Sequence, residues 1–233
     1  MMMINLEATL DVTLKEGEEE RDFKLKLGQE EIVNLFHHLY YGSRVWENTF
    51  WHGHHILKCP LDMWIYQEIL WELKPDFIIE TGTFMGGSAL YYAHLLDLQK
   101  HGKIITIDVS SSPNLPTHPR ITYIEGSSTD PIVFNKVMEI IGKGKKILIV
   151  LDSDHSLGHV IEEMRLWHPV VSQGSYMIVE DTNVNGHPVR SDFGPGPMEA
   201  VNLFLNENAD FQIDHERQKF FMTQNPRGYL KKV

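Results

Sequence analysis

The chain has 233 residues, 42% of them hydrophobic, with 32 acidic against 21 basic residues and a formal net charge of -11. That length and apolar content suffice for one α/β domain with a buried core and a short appendage. The acidic balance, without a basic stripe, argues against a nucleic-acid partner, which requires Lys and Arg massed against phosphates.

Residues 1–7 lack the basic segment and apolar stretch of a signal peptide. Leu6, Ala8, Leu10, Val12 and Leu14 alternate with polar residues, as do Phe23, Leu25 and Leu27, and the acidic run Glu16-Gly17-Glu18-Glu19-Glu20 separates them. Period-2 alternation predicts half-buried strands, here an N-terminal hairpin turning at Gly17 with a solvated tip. A helix is predicted over 29–41 from Ile32, Val33, Leu35, Phe36 and Leu39, and then an aromatic- and His-rich loop to Pro60. That loop holds Cys59, the only cysteine, which forms no internal disulfide and fits a reducing compartment. A cytoplasmic protein is expected, with residues 1–50 as the appendage and 51–233 as the main domain.

From there helix and strand alternate. Tyr66, Ile69, Leu70 and Leu73 mark a helix that stops before Pro75, and Phe77-Ile78-Ile79 is a buried strand. A helix over 87–99 and strands over 103–108 and 121–125 follow. Asp130-Pro131 reads as a helix start, an N-cap acid with Pro at the first helical position. A strand over 146–151, a helix over 156–168 and a strand over 175–179 lead to a Gly/Pro-rich loop, 182–197, and a helix to about 208. Segments 211–214 and 220–223 are expected to close the chain as a strand pair. The longest aliphatic run, Ile147-Leu148-Ile149-Val150-Leu151, falls far short of the roughly 20 apolar residues of a membrane span. This rhythm predicts a mainly parallel sheet with helices on both faces, binding its ligand at the carboxyl ends of the strands.

The first strand ends in Glu80-Thr81-Gly82-Thr83-Phe84-Met85-Gly86-Gly87-Ser88. Gly82 permits a sharp turn, and Gly86-Gly87 permits a ligand to approach the next helix. Phe84 stands where the dinucleotide fingerprint needs glycine, so the loop departs from the pyrophosphate-cradling pattern. Asp108, ending the second strand, suits the two ribose hydroxyls of an adenosine ligand. Ser127, past the third, suits the border of an adenine. Asp152-Ser153-Asp154-His155 and Glu180-Asp181 end the fourth and fifth strands. Carboxylates massed on one rim repel each other unless a cation sits among them, and oxygen donors favour Mg²⁺, Ca²⁺ or Mn²⁺ over Zn²⁺.

The loop spacing resembles the first motif of class I methyltransferases. With Asp108, Asp152 to His155, Glu180-Asp181, Ile56-Leu57-Lys58-Cys59-Pro60, Leu70 to Pro75 and Asp192 to Pro197, the chain resembles the cephalosporin hydroxylase family from about Trp51 onward. That family is related to metal-dependent macrolide-sugar O-methyltransferases. The resemblance implies an α/β, Rossmann-like class I methyltransferase fold with a mainly parallel seven-stranded sheet. It implies S-adenosylmethionine against Glu80, Gly82, Thr83, Gly86, Ser88, Asp108 and Ser127. It further implies Mg²⁺ (or Mn²⁺) on Asp152, Glu180 and Asp181, with His155 as catalytic base. Asp154 is a spare acid, His159 is structural, and Lys58 reads as a solvated lysine. The family name suggests an oxygenase, but a non-haem iron site wants two His and one carboxylate.

The expected reaction is methyl transfer to a hydroxyl of a sugar or other small-molecule acceptor with adjacent oxygens, under a lid formed by 182–197. Two rivals are a nicotinamide-dependent oxidoreductase, which Phe84 and the carboxylates oppose, and a non-catalytic S-adenosylmethionine-binding subunit, which needs neither metal acids nor His155. The sequence leaves a homo-oligomer open.

Overall fold

A computed structural model describes residues 7–16 and 19–233. β1 (Ala8–Glu16) and β2 (Glu19–Leu27) pair antiparallel with Val12 opposite Phe23 and Leu10 opposite Leu25. The turn expected at Gly17 lies outside the described residues. The apolar residues share one face, as alternation requires. That face is half-buried as expected at Ala8, Val12 and Leu27, with Leu10 and Leu25 more open at 41% and 45% exposed. α1 (Gln29–Gly42) follows. The stretch expected as one loop contains a 3₁₀ turn, Val45–Asn48, and a two-residue ribbon of β3 (Phe50–Trp51) with β4 (His54–His55).

α2 (Pro60–Leu73) ends at Lys74, whose left-handed backbone breaks the helix before Pro75. Then come β5 (Phe77–Thr81), α3 (Gly87–Gln99), β6 (Lys103–Asp108), β7 (Ile121–Glu125) and α4 (Pro131–Ile141). Asp130 caps α4 as read, accepting from the Ile132 amide at 2.8 Å. β8 (Ile147–Leu151), α5 (Leu157–Trp167), β9 (Tyr176–Val179), α6 (Pro197–Glu207), β10 (Phe211–Ile213) and β11 (Tyr229–Lys232) complete the chain.

The main sheet has seven strands in the order β10-β11-β9-β8-β5-β6-β7. β5 to β9 run parallel, and β11 pairs antiparallel with both β9 and β10. The expected partner of β10 is thereby corrected. Residues 220–223 form no strand, and β11 takes the place, because Tyr229 and Leu230 are fully buried between β9 and β10. Successive β5 residues point to opposite faces. Ile79 joins a core with Met164, Trp167 and Phe204, while Ile78 joins one with Tyr66, Leu70, Tyr92 and Leu96. Covering on both faces explains the unbroken apolar runs of β5 and β8. The chain leaves β5 for β6 and β7 on one side and returns to β8 and β9 on the other. That reversal opens a crevice at the carboxyl ends of β5 and β8.

Candidate active site

Three carboxylates converge at this crevice, Asp152 past β8 and Glu180 and Asp181 past β9. The β5 exit passes so close that a Cβ on Gly82 would sit 1.8 Å from the Asp152 carbonyl oxygen. Glycine is required there on space and on its φ of +88°. Asp181 is itself held at φ 53°, a conformation costly for a non-glycine residue. Its amide donates to the Asn225 side chain at 2.9 Å, which helps fix its carboxylate in place.

Lys58 is not solvated, contrary to the sequence reading. It is 4% exposed, and its Nζ lies 2.5 Å from Asp152 Oδ2 and 2.6 Å from Glu180 Oε1. The segment entering α2 buries the ammonium behind the carboxylates, a placement that the sequence does not announce. Burial pushes the ammonium down, but the two carboxylates hold it above the ordinary lysine range. Burial also raises the carboxyls of Asp152, Glu180 and Asp181, and Lys58 offsets this only in part. Lys58 thus pairs with Asp152 and Glu180 while His155 faces Asp181, and carboxylates massed at one rim in this way suit a divalent cation.

His155, just before α5, directs Nε2 to within 3.2 Å of Asp181 Oδ2 and 4.0 Å of Asp152 Oδ1. One ligand atom from each of Asp152, His155 and Asp181 lies within 4.8 Å of the others. Glu180 is turned the other way, toward Lys58 and the Tyr66 hydroxyl, which donates to it at 2.6 Å. Asp154 faces away and accepts from the Ser156 amide at 2.7 Å, an arrangement that lowers its carboxyl. His159 bonds to Ser128 and faces Glu163.

On the other side, Asp108 accepts from the amides of Phe84 at 2.9 Å and Ser110 at 3.1 Å, tying the β5–α3 loop to the end of β6. It lines a depression of about 170 Å³ with Thr83 and Tyr123. Gly82, Thr83 and Ser88 line the larger cleft, about 290 Å³, that also contains Asp152, His155 and Asp181. Gly86 caps α3 in a left-handed conformation, and Ser127 bonds to Thr129 beside the adjoining loop. Glu80 lies fully buried beneath the loop, accepting from Thr106 at 2.6 Å. Burial pushes its carboxyl up to about 7, against the lowering effects of Lys58, Ser88 and Thr106.

Sequence reasoning missed the support behind the acids. Asn225 donates to the Tyr66 hydroxyl at 2.7 Å, so one chain of hydrogen bonds runs from the Asp181 amide through Asn225 and Tyr66 to Glu180. Tyr66 read only as an apolar helix position. The polar run around Asn225, after the last helix, carried no local signal at all.

Comparison with known proteins settles the family. The family described as rhamnosyl O-methyltransferase/CmcI matches residues 43–233. The chain belongs to the rhamnosyl O-methyltransferase/CmcI family. Within it, a rhamnosyl O-methyltransferase of Mycobacterium tuberculosis (strain ATCC 25618 / H37Rv) is 42% identical over 206 residues, 85% of this chain and 84% of that protein. One of Mycobacterium leprae (strain TN) is 40% identical over 205 residues, 85% and 90% of the two chains. A solved CmcI structure superposes with a TM-score of 0.63 at 24% identity, over 80% of this chain and 77% of that one, and shares the fold. Membership in the rhamnosyl O-methyltransferase/CmcI family bears out the resemblance read from the motifs, makes the chain an O-methyltransferase and sets the nicotinamide-dependent reading aside. Among the described residues, no helix is long and apolar enough to cross a membrane.

Proposed function

We propose that the chain moves the methyl group of S-adenosylmethionine to a hydroxyl of a sugar or related small natural-product acceptor, with Mg²⁺ or Mn²⁺ in the site. The observation that carries the reading is the meeting of Asp152 and Asp181 with His155, backed by Lys58 paired to Asp152 and Glu180, within a chain 42% identical to rhamnosyl O-methyltransferases. A neighbour of the same fold was solved as a Mg–SAM complex of CmcI.

Asp152, Glu180 and Asp181 are the residues that would hold the cation, whose Lewis acidity, when bound, would lower the pKa of an acceptor hydroxyl. The sulfonium of the methyl donor supplies the electrophilic carbon. Gly82, Thr83 and Ser88 line the face of the cleft where the donor's methionine part would lie, while Asp108 would accept from its ribose hydroxyls. Glu80, Gly86 and Ser127 act from behind, shaping the loops. His155, at the rim of the acids, takes the proton that the acceptor oxygen loses. Loop 182–197 brings Val184 and Phe193 over the same cleft, where they exclude water from the transfer.

A second reading is favoured by one distance set: the Nε2 of His155 lies as close to Asp181 as a shared ligand would, so His155 could be the third ligand in place of Glu180. His155→Ala separates the two. As a base, its loss lowers the single-turnover rate by roughly 10²–10⁴-fold with the Mn²⁺ Kd unchanged. As a ligand, its loss weakens Mn²⁺ binding in calorimetry, and excess metal restores the rate.

The donor assignment has its own check. S-adenosylhomocysteine should bind in calorimetry and NAD should not. Asp108→Ala should weaken S-adenosylhomocysteine by roughly 10-fold or more through the two lost ribose bonds. Binding of NAD but not of S-adenosylhomocysteine would overturn it.

A further inference from the structure

The cleft that contains Asp152, His155 and Asp181 has a wall that the transfer chemistry does not use. Tyr41 lies in the last turn of α1 and Trp46 in the 3₁₀ turn after it, both in the appendage and outside the main sheet. Both line the cleft, together with the two aspartates and the histidine. Their rings stack, with centroids 5.4 Å apart and planes 28° from parallel. The Trp46 indole donates its N–H to the Tyr41 carbonyl at 3.1 Å, which spends the ring's only polar group on its neighbour's backbone. The pair therefore offers an apolar π surface of fixed orientation. The lid approaches the same cleft: Phe193 lines it, and the Arg190 guanidinium lies over the Phe193 ring at 5.6 Å. Burial and then the charge of Asp181 push the Tyr41 phenol up, which puts Tyr41 within the field of a proposed metal acid.

We propose that Tyr41 and Trp46 are the stacking platform for the acceptor's pyranose ring, an inference that rests on the sugar-acceptor reading above. A pyranose has two kinds of surface. Its C–H face is weakly positive and apolar and suits the negative face of an aromatic ring. Its edge carries adjacent hydroxyls, which suit the carboxylate and imidazole side of this cleft. At about 290 Å³ the cleft is at the small end of ligand pockets, the size for a single ring with the reactive end of the donor. The appendage thus selects the acceptor while the strand ends perform the chemistry, and the two roles should separate kinetically.

The test uses the full-length protein, S-adenosylmethionine, Mg²⁺ and methyl α-rhamnopyranoside as probe. Trp46→Ala should raise KM for the glycoside roughly 10-fold or more with kcat changed less than about 3-fold, and Trp46→Phe should recover most of the loss. Mn²⁺ and S-adenosylhomocysteine affinities should match the wild type, which shows that the fold and both other sites persist. With S-adenosylhomocysteine and Mg²⁺ present, the glycoside should also change the wild-type tryptophan emission and leave that of Trp46→Phe unchanged. Transfer to the glycoside with the same KM in Trp46→Ala overturns the platform while leaving the function intact. Absence of transfer in the wild type overturns the function, and the emission change then decides the platform alone. A lower KM for 3,4-dihydroxybenzoate than for the glycoside, with the same dependence on Trp46, overturns the choice of a sugar.

Discussion

Lys58→Met should lower the melting temperature in the presence of a chelator by roughly 10 °C. The ammonium is buried against Asp152 and Glu180, and its removal leaves the buried Glu180 and the partly buried Asp152 without their counter-charge. Breaking a buried pair in this way costs about 3–5 kcal/mol, and for a chain of this size each kcal/mol moves the midpoint by roughly 2–4 °C. Saturating Mg²⁺ should return much of the loss, because a bound dication supplies the missing charge and stabilises the folded state by mass action. The same variant should bind Mn²⁺ more tightly than the wild type, since no lysine then competes for the acids. An unchanged melting temperature in chelator would show that the ion pair contributes nothing. A deficit that Mg²⁺ leaves untouched would show that the lysine and the metal do not share a site.

Asp152→Asn should reduce the single-turnover rate by roughly 10³-fold or more while S-adenosylhomocysteine still binds. Of the three acids, Asp152 alone faces both Lys58 and His155. The amide keeps an acceptor oxygen for Lys58, so the variant should remain folded, and what it loses is negative charge toward the cation. Lowering a hydroxyl pKa by about five units is worth roughly 7 kcal/mol, so a weakened cation removes a large share of the rate. Glu180→Gln tests the third proposed ligand by the same pair of measurements. Its Mn²⁺ affinity should fall, and an affinity equal to the wild type, alongside a loss in His155→Ala, would move the third ligand to the histidine.

The parallel sheet was readable because its central strands are built on short apolar runs bounded by turns, Phe77 to Ile79 in β5 and the whole of Ile147 to Leu151 in β8. The positions of Asp152, Glu180 and Asp181 followed from it, since the first residue past a parallel strand falls at the crevice. β11 was not readable. Its two buried residues, Tyr229 and Leu230, are followed by Lys231 and Lys232, so the strand shows neither alternation nor an apolar run. Phe220 and Met222 carry the better local signal, and tertiary packing overrides it. Lys58 was misread for a related reason. A lysine is almost never buried without a partner, and its partners lie 94 and 122 positions away, a pairing that only the folded sheet makes. Tyr41 ends a predicted helix and Trp46 sits in a stretch with no periodicity, so their meeting with Asp152 and Asp181 appears only in three dimensions.

Labelled methyl from S-adenosylmethionine should appear on a hydroxyl oxygen of methyl α-rhamnopyranoside, should be lost after exhaustive chelation and should return with Mg²⁺ or Mn²⁺. Undiminished transfer by the fully chelated protein would rule out a metal at Asp152, Glu180 and Asp181.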